Sequence, residues 1–134
     1  MSGRWDELVI EQGATFAVVV KPFDRNNNPI SLVGCTAKMQ IRPTPDQVNT
    51  AIVTLSTSDS TIQINGAAGT ITLTLSPTQT AAFTFASGFY DLEVTSSNGF
   101  IQRILQGLIR VNLQVTQTVI PPVIPPVIVP VVTP

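Results

Sequence analysis

The stretch from Gly88 to Val111, GFYDLEVTSSNGFIQRILQGLIRV, constrains the fold most, because it holds a strand, a turn and a return strand in one piece. Tyr90, Leu92 and Val94 alternate with Asp91, Glu93 and Thr95, the period of two that gives a strand one buried face. Ser97-Asn98-Gly99 suits a three-residue hairpin loop in which Gly99 takes the left-handed position without steric cost. That register sets Ser96 opposite Phe100, Glu93 opposite Arg103 and Leu92 opposite Ile104. A two-residue turn at Asn98-Gly99 would instead face Glu93 with Ile104, losing both the charge pair and the burial. On the return strand Ile104 fits the even-numbered face, whereas Ile109, Val111, Leu113 and Val115 are odd. An extra residue near Gly107, a β-bulge, would reset the phase and bend one long strand around a sheet. Strands that turn corners belong to sandwiches and barrels.

Elsewhere the same period recurs. Val33, Cys35, Ala37, Met39 and Ile41 alternate with Gly34, Thr36, Lys38, Gln40 and Arg42, which predicts a strand ended by Pro43 and Pro45, since proline cannot donate to a ladder. Glu7 to Ile10 and Thr15 to Lys21 read as two short strands broken at Gln12-Gly13. Ala51 to Ser56, Thr61 to Asn65 and Thr70 to Leu75 read as further strands. Ser76-Pro77-Thr78-Gln79 has the form of a helix start, with serine as N-cap, proline at the first helical position and glutamine closing a capping box. Together these elements predict an all-β fold: an immunoglobulin-like β-sandwich of about eight strands with one short helical crossing and an extended C-terminal arm. Residues 1–116 form the sandwich domain in this reading, and residues 117–134 the arm.

In immunoglobulin-like domains a tyrosine near the start of a late strand hydrogen-bonds back across the preceding corner, and Gly88-Phe89-Tyr90 places Tyr90 to do so. The position two residues later, where an antibody domain has its second cysteine, is Leu92, which excludes the disulfide version. Cys35 is the only cysteine and falls on the apolar side of its predicted strand, as a small buried hydrophobe. Trp5 is expected to cap one end of the core.

The charge content excludes several functions. Charged residues make up 11% of the chain, less than half the usual share, and the net charge is −1. Such a balance gives no electrostatic footprint for nucleic acid or anionic membrane. Histidine is absent, no nucleophile has a base nearby, and no glycine-rich phosphate loop occurs, so the chain is not expected to be an enzyme or to hold a cofactor. Asp91 and Glu93, about 7 Å apart on one strand face, imitate a carboxylate pair, but Glu93 has Arg103 as its cross-strand partner. Asp24, Asn26 and Asn28 have the spacing of a calcium loop. However, Pro29 stands where a glycine is needed and Cys35 where a glutamate is needed, which favours backbone capping in a turn and no metal. Trp5-Asp6-Glu7 interrupts any apolar leader, so the product is expected to stay in the cytoplasm of the cell that makes it.

Leu8 to Phe16 (LVIEQGATF), Leu32 to Arg42 (LVGCTAKMQIR), Gly69 to Ser76 (GTITLTLS), Tyr90 to Val94 (YDLEV) and Arg103 to Gly107 (RILQG) carry a resemblance. Over about residues 5 to 116 the chain resembles a family of small tailed-phage virion proteins. More distantly, it is similar to the N-terminal immunoglobulin-like domain of phage upper baseplate proteins. Ser31-Leu32-Val33-Gly34 departs from the family's usual Asp-Leu-Thr-Gly, and the chain beyond residue 117 lies outside the shared pattern. The resemblance implies a structural role in a virion, with other virion proteins and copies of itself as partners.

From Val119 the sequence becomes VIPP VIPP VIVP VVTP, with proline recurring at 122, 126, 130 and 134. Proline forbids a helix or a central strand and biases its neighbours to extended conformations. In a polyproline-type form this repeat reaches on the order of 50 Å. A helical membrane span is excluded by the prolines. The apolar residues Val119, Ile120, Val123, Ile124, Val127, Ile128, Val129, Val131 and Val132 are therefore expected to lie in a neighbouring subunit's groove. On that reading a chain ending near Gln117 folds but does not assemble.

The function expected from these features is a non-enzymatic subunit of the tail, baseplate or fibre-attachment region. A capsid decoration (cement) protein is the alternative, and a host-surface or carbohydrate-binding module a third. Tyr90, Gly99, Gly107, Glu93 and Arg103 are the residues expected to hold the scaffold.

Overall fold

A computed structural model of the protein describes residues 4–44, 51–113 and 127–132. In chain order the elements are β1 (Arg4–Trp5), β2 (Leu8–Glu11), β3 (Phe16–Phe23), β4 (Thr36–Arg42), β5 (Val53–Ser56), β6 (Ile62–Asn65), β7 (Thr70–Leu75), α1 (Pro77–Ala81), β8 (Ser87–Thr95), β9 (Ile101–Asn112) and β10 (Val127–Val132). Two sheets pack face to face. In the first, β9, β8, β4 and β5 run side by side and antiparallel, and β1 and β2 both lie parallel to β9. The second has the order β10-β3-β7-β6, antiparallel except for the β10–β3 pair. With β3, β7 and β6 as the B, E and D strands and β4, β8 and β9 as C, F and G, this is the immunoglobulin arrangement.

Alternation makes the layers. Phe16, Val18 and Val20 of β3 point inward while the residues between them are half-buried, and β7 repeats the pattern with Ile71, Leu73 and Leu75. Facing them are Met39 and Ile41 of β4, Leu92 of β8, and Leu105 and Ile109 of β9, all fully buried. Each such side chain contributes about 1.5–3 kcal/mol by leaving water, which makes this shared layer the principal source of stability. Helix α1 starts as its sequence requires. The Ser76 hydroxyl accepts from the Gln79 N–H at 3.1 Å, and the Gln79 side chain accepts from the Ser76 N–H at 2.8 Å. Thr80, fully buried, then ties the helix to the β2–β3 turn, donating to the Ala14 carbonyl at 2.8 Å and accepting from the Gly13 N–H at 3.1 Å.

The β8–β9 hairpin has the expected loop. Gly99 is left-handed at φ 87°, its N–H donates to the Ser96 carbonyl at 2.9 Å, and the Ser96 N–H donates to the Phe100 carbonyl at 2.9 Å. Glu93 pairs with Arg103 as expected, but Leu92 pairs with Leu105 and not with Ile104. The bulge therefore sits at Ile104, three residues before Gly107. Ile104 and Leu105 are both buried, so two successive apolar side chains absorb the extra residue inside the core.

Gly107 serves a different purpose. A Cβ there would lie 2.0 Å from the Asp6 carbonyl oxygen, so only glycine lets the segment between β1 and β2 run this close beside β9. That same carbonyl accepts the Tyr90 hydroxyl at 2.8 Å. Tyr90 thus ties β8 to the N-terminal segment and not to the corner preceding it.

Two further expectations need correction. Val33 to Cys35 are not strand. The Cys35 N–H donates to the Leu32 carbonyl at 3.1 Å and Gly34 is left-handed at φ 78°, which closes a turn, buries Leu32 and leaves Val33 70% exposed. Cys35 is accordingly half-buried against the core rather than within it. Trp5 pairs through its backbone with Gln106, and its side chain lies outside the described residues.

The larger correction concerns the C-terminal segment. Residues 117–126, with Val119, Ile120, Val123 and Ile124, lie outside the described residues, but Val127–Val132 is a strand of the sandwich itself. It runs parallel to β3 from Val127 beside Val18 to Val132 beside Phe23. Proline bars a central strand but not an edge strand, and β10 is an edge. The division at residue 116 therefore does not separate β10 from the domain.

Candidate assembly surface

Of the nine apolar residues expected to meet a partner, the structure places five and divides them by face. Val129 and Val131 point inward and are 6% and 1% exposed, joining the core beside Val20 and Pro22. Val127, Ile128 and Val132 are 55%, 65% and 56% exposed. The period of two accounts for Ile128 and Val132, since successive side chains of a strand leave on opposite faces, while Val127 shares the phase of Val129 and Val131 and is exposed where the strand begins. What results is an edge strand whose inner residues seal the β3 side of the core and whose outer residues present bare valine and isoleucine.

The outer face of the first sheet is polar by contrast. A groove of about 200 Å³ runs over β4, β8 and β9, lined by Gln40, Arg42, Phe89, Asp91, Glu93, Arg103 and Gln106 among others. Arg103 reaches Asp91 at 3.3 Å and donates to the Gln106 side chain at 3.4 Å, while Arg42 donates to the Gln40 side chain at 2.9 Å. Glu93 is thus the register partner of Arg103, but the ion pair is made diagonally with Asp91, a distance long side chains span easily. Lys38 of β4 stands beside Glu93 on its other side. Asp91 and Arg103 are about four-tenths exposed, so their pairing contributes little to stability and leaves both available at the rim of a contact.

A third surface lies where the β3–β4 and β8–β9 loops meet. A Cβ on Gly34 would be 3.3 Å from that of Ser97, so the two loops touch, and Val33, Phe100 and Ile101 around them are 70%, 67% and 60% exposed. Alternation along β4 predicts Val33 inside, and the structure exposes it. Phe100-Ile101 did carry a signal, because two successive apolar residues at a hairpin tip cannot both follow an alternating inward phase.

Among the described residues no cluster of three or more histidine, cysteine or acidic side chains could hold a metal ion, and no helix is long and apolar enough to cross a membrane. The Asp24 carboxylate accepts from the backbone N–H groups of Asn26 at 2.8 Å and Asn28 at 3.0 Å, as expected for a capped turn. The Asp59 carboxyl is held below its ordinary range, because the Thr61 hydroxyl and then the Thr61 backbone N–H hydrogen-bond its charged form.

No family model matches the chain, and no curated protein matches it. A solved structure of the Drosophila OTK extracellular domains 3-5 is similar at a TM-score of 0.36 and 12% identity, over 83% of this chain and 34% of that one. The chain spans about a third of that structure, and at this level the likeness carries no argument about function.

Proposed function

We propose that the chain is a non-enzymatic structural subunit of a tailed bacteriophage virion, in the tail, baseplate or fibre-attachment region, which holds its neighbours through sheet surface and C-terminal segment. The observation that carries this reading is β10, an apolar edge strand with Val127, Ile128 and Val132 uncovered, on a chain with only 11% charged residues. Uncovered apolar surface on so neutral a chain favours permanent neighbours over free solution. The resemblance of residues 5 to 116 to small virion proteins supplies the kind of assembly. The polar groove supports the non-enzymatic part, since Asp91, the nearest thing to a catalytic carboxylate, is engaged by Arg103.

The test is to purify particles from cells that make the protein, separate heads from tails, and locate the chain by mass spectrometry. Enrichment in the tail fraction at a fixed copy number is the expected result. Enrichment in heads would move the role to capsid decoration, and absence from both would overturn the virion reading.

A further inference from the structure

We infer that the groove on the outer face of the first sheet is a binding site for a neutral hexopyranose ring, the unit of a neutral polysaccharide. The site is independent of the virion reading, because it lies on β4, β8 and β9 and uses no part of β10.

Strand register builds the hollow. Gln40, Asp91 and Gln106 stand in one row across β4, β8 and β9, on the face turned away from the core. Asp91 is the shortest of the three and sits at the centre. Along β8 its outward neighbours are Phe89 and Glu93, so longer side chains stand on all sides of Asp91. The hollow holds about 200 Å³, below the roughly 300–1,000 Å³ of sites for drug-sized molecules, which sets the ligand at one small ring.

The charge of the lining selects what enters. The guanidinium groups of Arg42 and Arg103 are matched by the carboxylates of Asp91 and Glu93, so the groove has no net charge to draw in a phosphate or a cation. It offers donors and acceptors side by side: N–H groups on arginine and glutamine, oxygens on aspartate, glutamate and glutamine. Neighbouring hydroxyls of a sugar ring both donate and accept, and so match such a set. A phosphate dianion only accepts, and an ammonium only donates.

Most of these groups are ordered before a ligand arrives. Arg103 is held by Asp91 at 3.3 Å and by the Gln106 side chain at 3.4 Å, and Arg42 donates to Gln40 at 2.9 Å. Glu93 is different. It is half-buried between its register partners Lys38 and Arg103, yet among the described residues its carboxylate has no ion-pair or hydrogen-bond partner. Its oxygens are left for a ligand to donate to. At the other end of the groove Phe89, half-buried between its register partners Arg42 and Leu108, supplies an aromatic ring against which the C–H face of a pyranose packs.

The experiment titrates the isotope-labelled full chain with glucose, galactose, mannose and N-acetylglucosamine, each to about 100 mM, and follows backbone amide and Arg103 Nε–H shifts by NMR. A ligand of about a dozen non-hydrogen atoms at ordinary efficiency binds in the millimolar range. At least one of these sugars is therefore expected to give shifts that saturate with a dissociation constant of about 1–20 mM and that centre on Gln40, Asp91, Glu93, Arg103 and Gln106. Glycerol, with neighbouring hydroxyls but no ring, and inorganic phosphate should give no saturating shift there.

Glu93→Ala should weaken the sugar about tenfold by removing a charged acceptor, with amide shifts outside the groove unchanged. Phe89→Leu should weaken it about threefold through loss of the ring. Leucine keeps apolar cover at that position, so this variant decides should the first not fold. No saturating shift with any of the sugars would overturn the site, as would saturation by glycerol or phosphate at the same residues. Sugar binding that both variants leave unchanged would overturn it equally.

Discussion

Val131→Ala and Val132→Ala replace neighbouring valines by the same residue, so any difference between them comes from where β10 sits. Val131 is 1% exposed and Val132 is 56% exposed. Shortening valine to alanine removes two carbon groups, worth about 1.6 kcal/mol at Val131 by transfer alone. A partly collapsed cavity adds roughly 0.5–1 kcal/mol, for a total of about 2–2.5 kcal/mol. At Val132 the removed groups are largely in water already, and the change should stay within about 0.5 kcal/mol. Urea unfolding at micromolar protein, with a slope of about 2 kcal/mol per molar, reads the first as a midpoint lowered by about 1 M and the second as nearly unmoved. Equal shifts, or a null effect at Val131, would refute the placement of this strand in the core. The same reasoning reverses the expectation for truncation: a chain ending near Gln117 loses both inward valines and the ladder on β3, and should unfold at far lower urea than the full chain.

Tyr90→Phe should cost about 1 kcal/mol, because the Asp6 carbonyl loses its donor at a part-buried site. Gly107→Ala should cost about 2–3 kcal/mol by displacing that carbonyl, and the double variant should cost less than the two summed; strict additivity in thermal unfolding would show that the junction is not shared. Ser76→Ala should lower stability by about 1 kcal/mol through loss of the capping box, with an unchanged thermal midpoint as the contrary result. The Asp59 carboxyl should titrate below 3.8 by NMR, so that its stabilising hydrogen bonds persist above the unfolded value and are lost as pH falls through the folded one; Thr61→Val should return the titration towards 3.8, and a wild-type value at or above 3.8 would contradict the assignment. Asp91→Asn and Glu93→Gln should leave incorporation into particles intact, and a hydrolase activity abolished by either would overturn the non-enzymatic proposal.

The layers of the sandwich were legible because period-two alternation states directly which side chains go inward, and β3, β7 and β8 keep it without interruption. Gly99 and the Ser76 cap were legible because turn and cap chemistry is local. Where two readings shared one pattern, the sequence misled. Val33 and Cys35 continue the alternation of β4 in register, yet a left-handed Gly34 turns the chain first. Gly107 looked like a bulge because glycine is common at bulges, but its reason is the Asp6 carbonyl packed against it from the other end of the chain, a contact no local pattern reveals. The C-terminal repeat was misplaced for a related reason. Its prolines speak against a central strand, and whether a vacant sheet edge awaits it depends on the order of the other strands. Val129 and Val131 were recognisable as residues that need burial, but not as residues that find it beside Val20 and Pro22.

The proposed function stands on the closure of the β3 edge by residues 127–132, and solution NMR of the full chain tests that closure most directly. Interstrand NOEs between residues 127–132 and residues 18–23, in the parallel register that sets Val127 beside Val18 and Val132 beside Phe23, are the expected result, together with slowed amide exchange along β3. Random-coil shifts for Val127 to Val132, with no NOE to β3 and fast exchange at its outer amides, would contradict it.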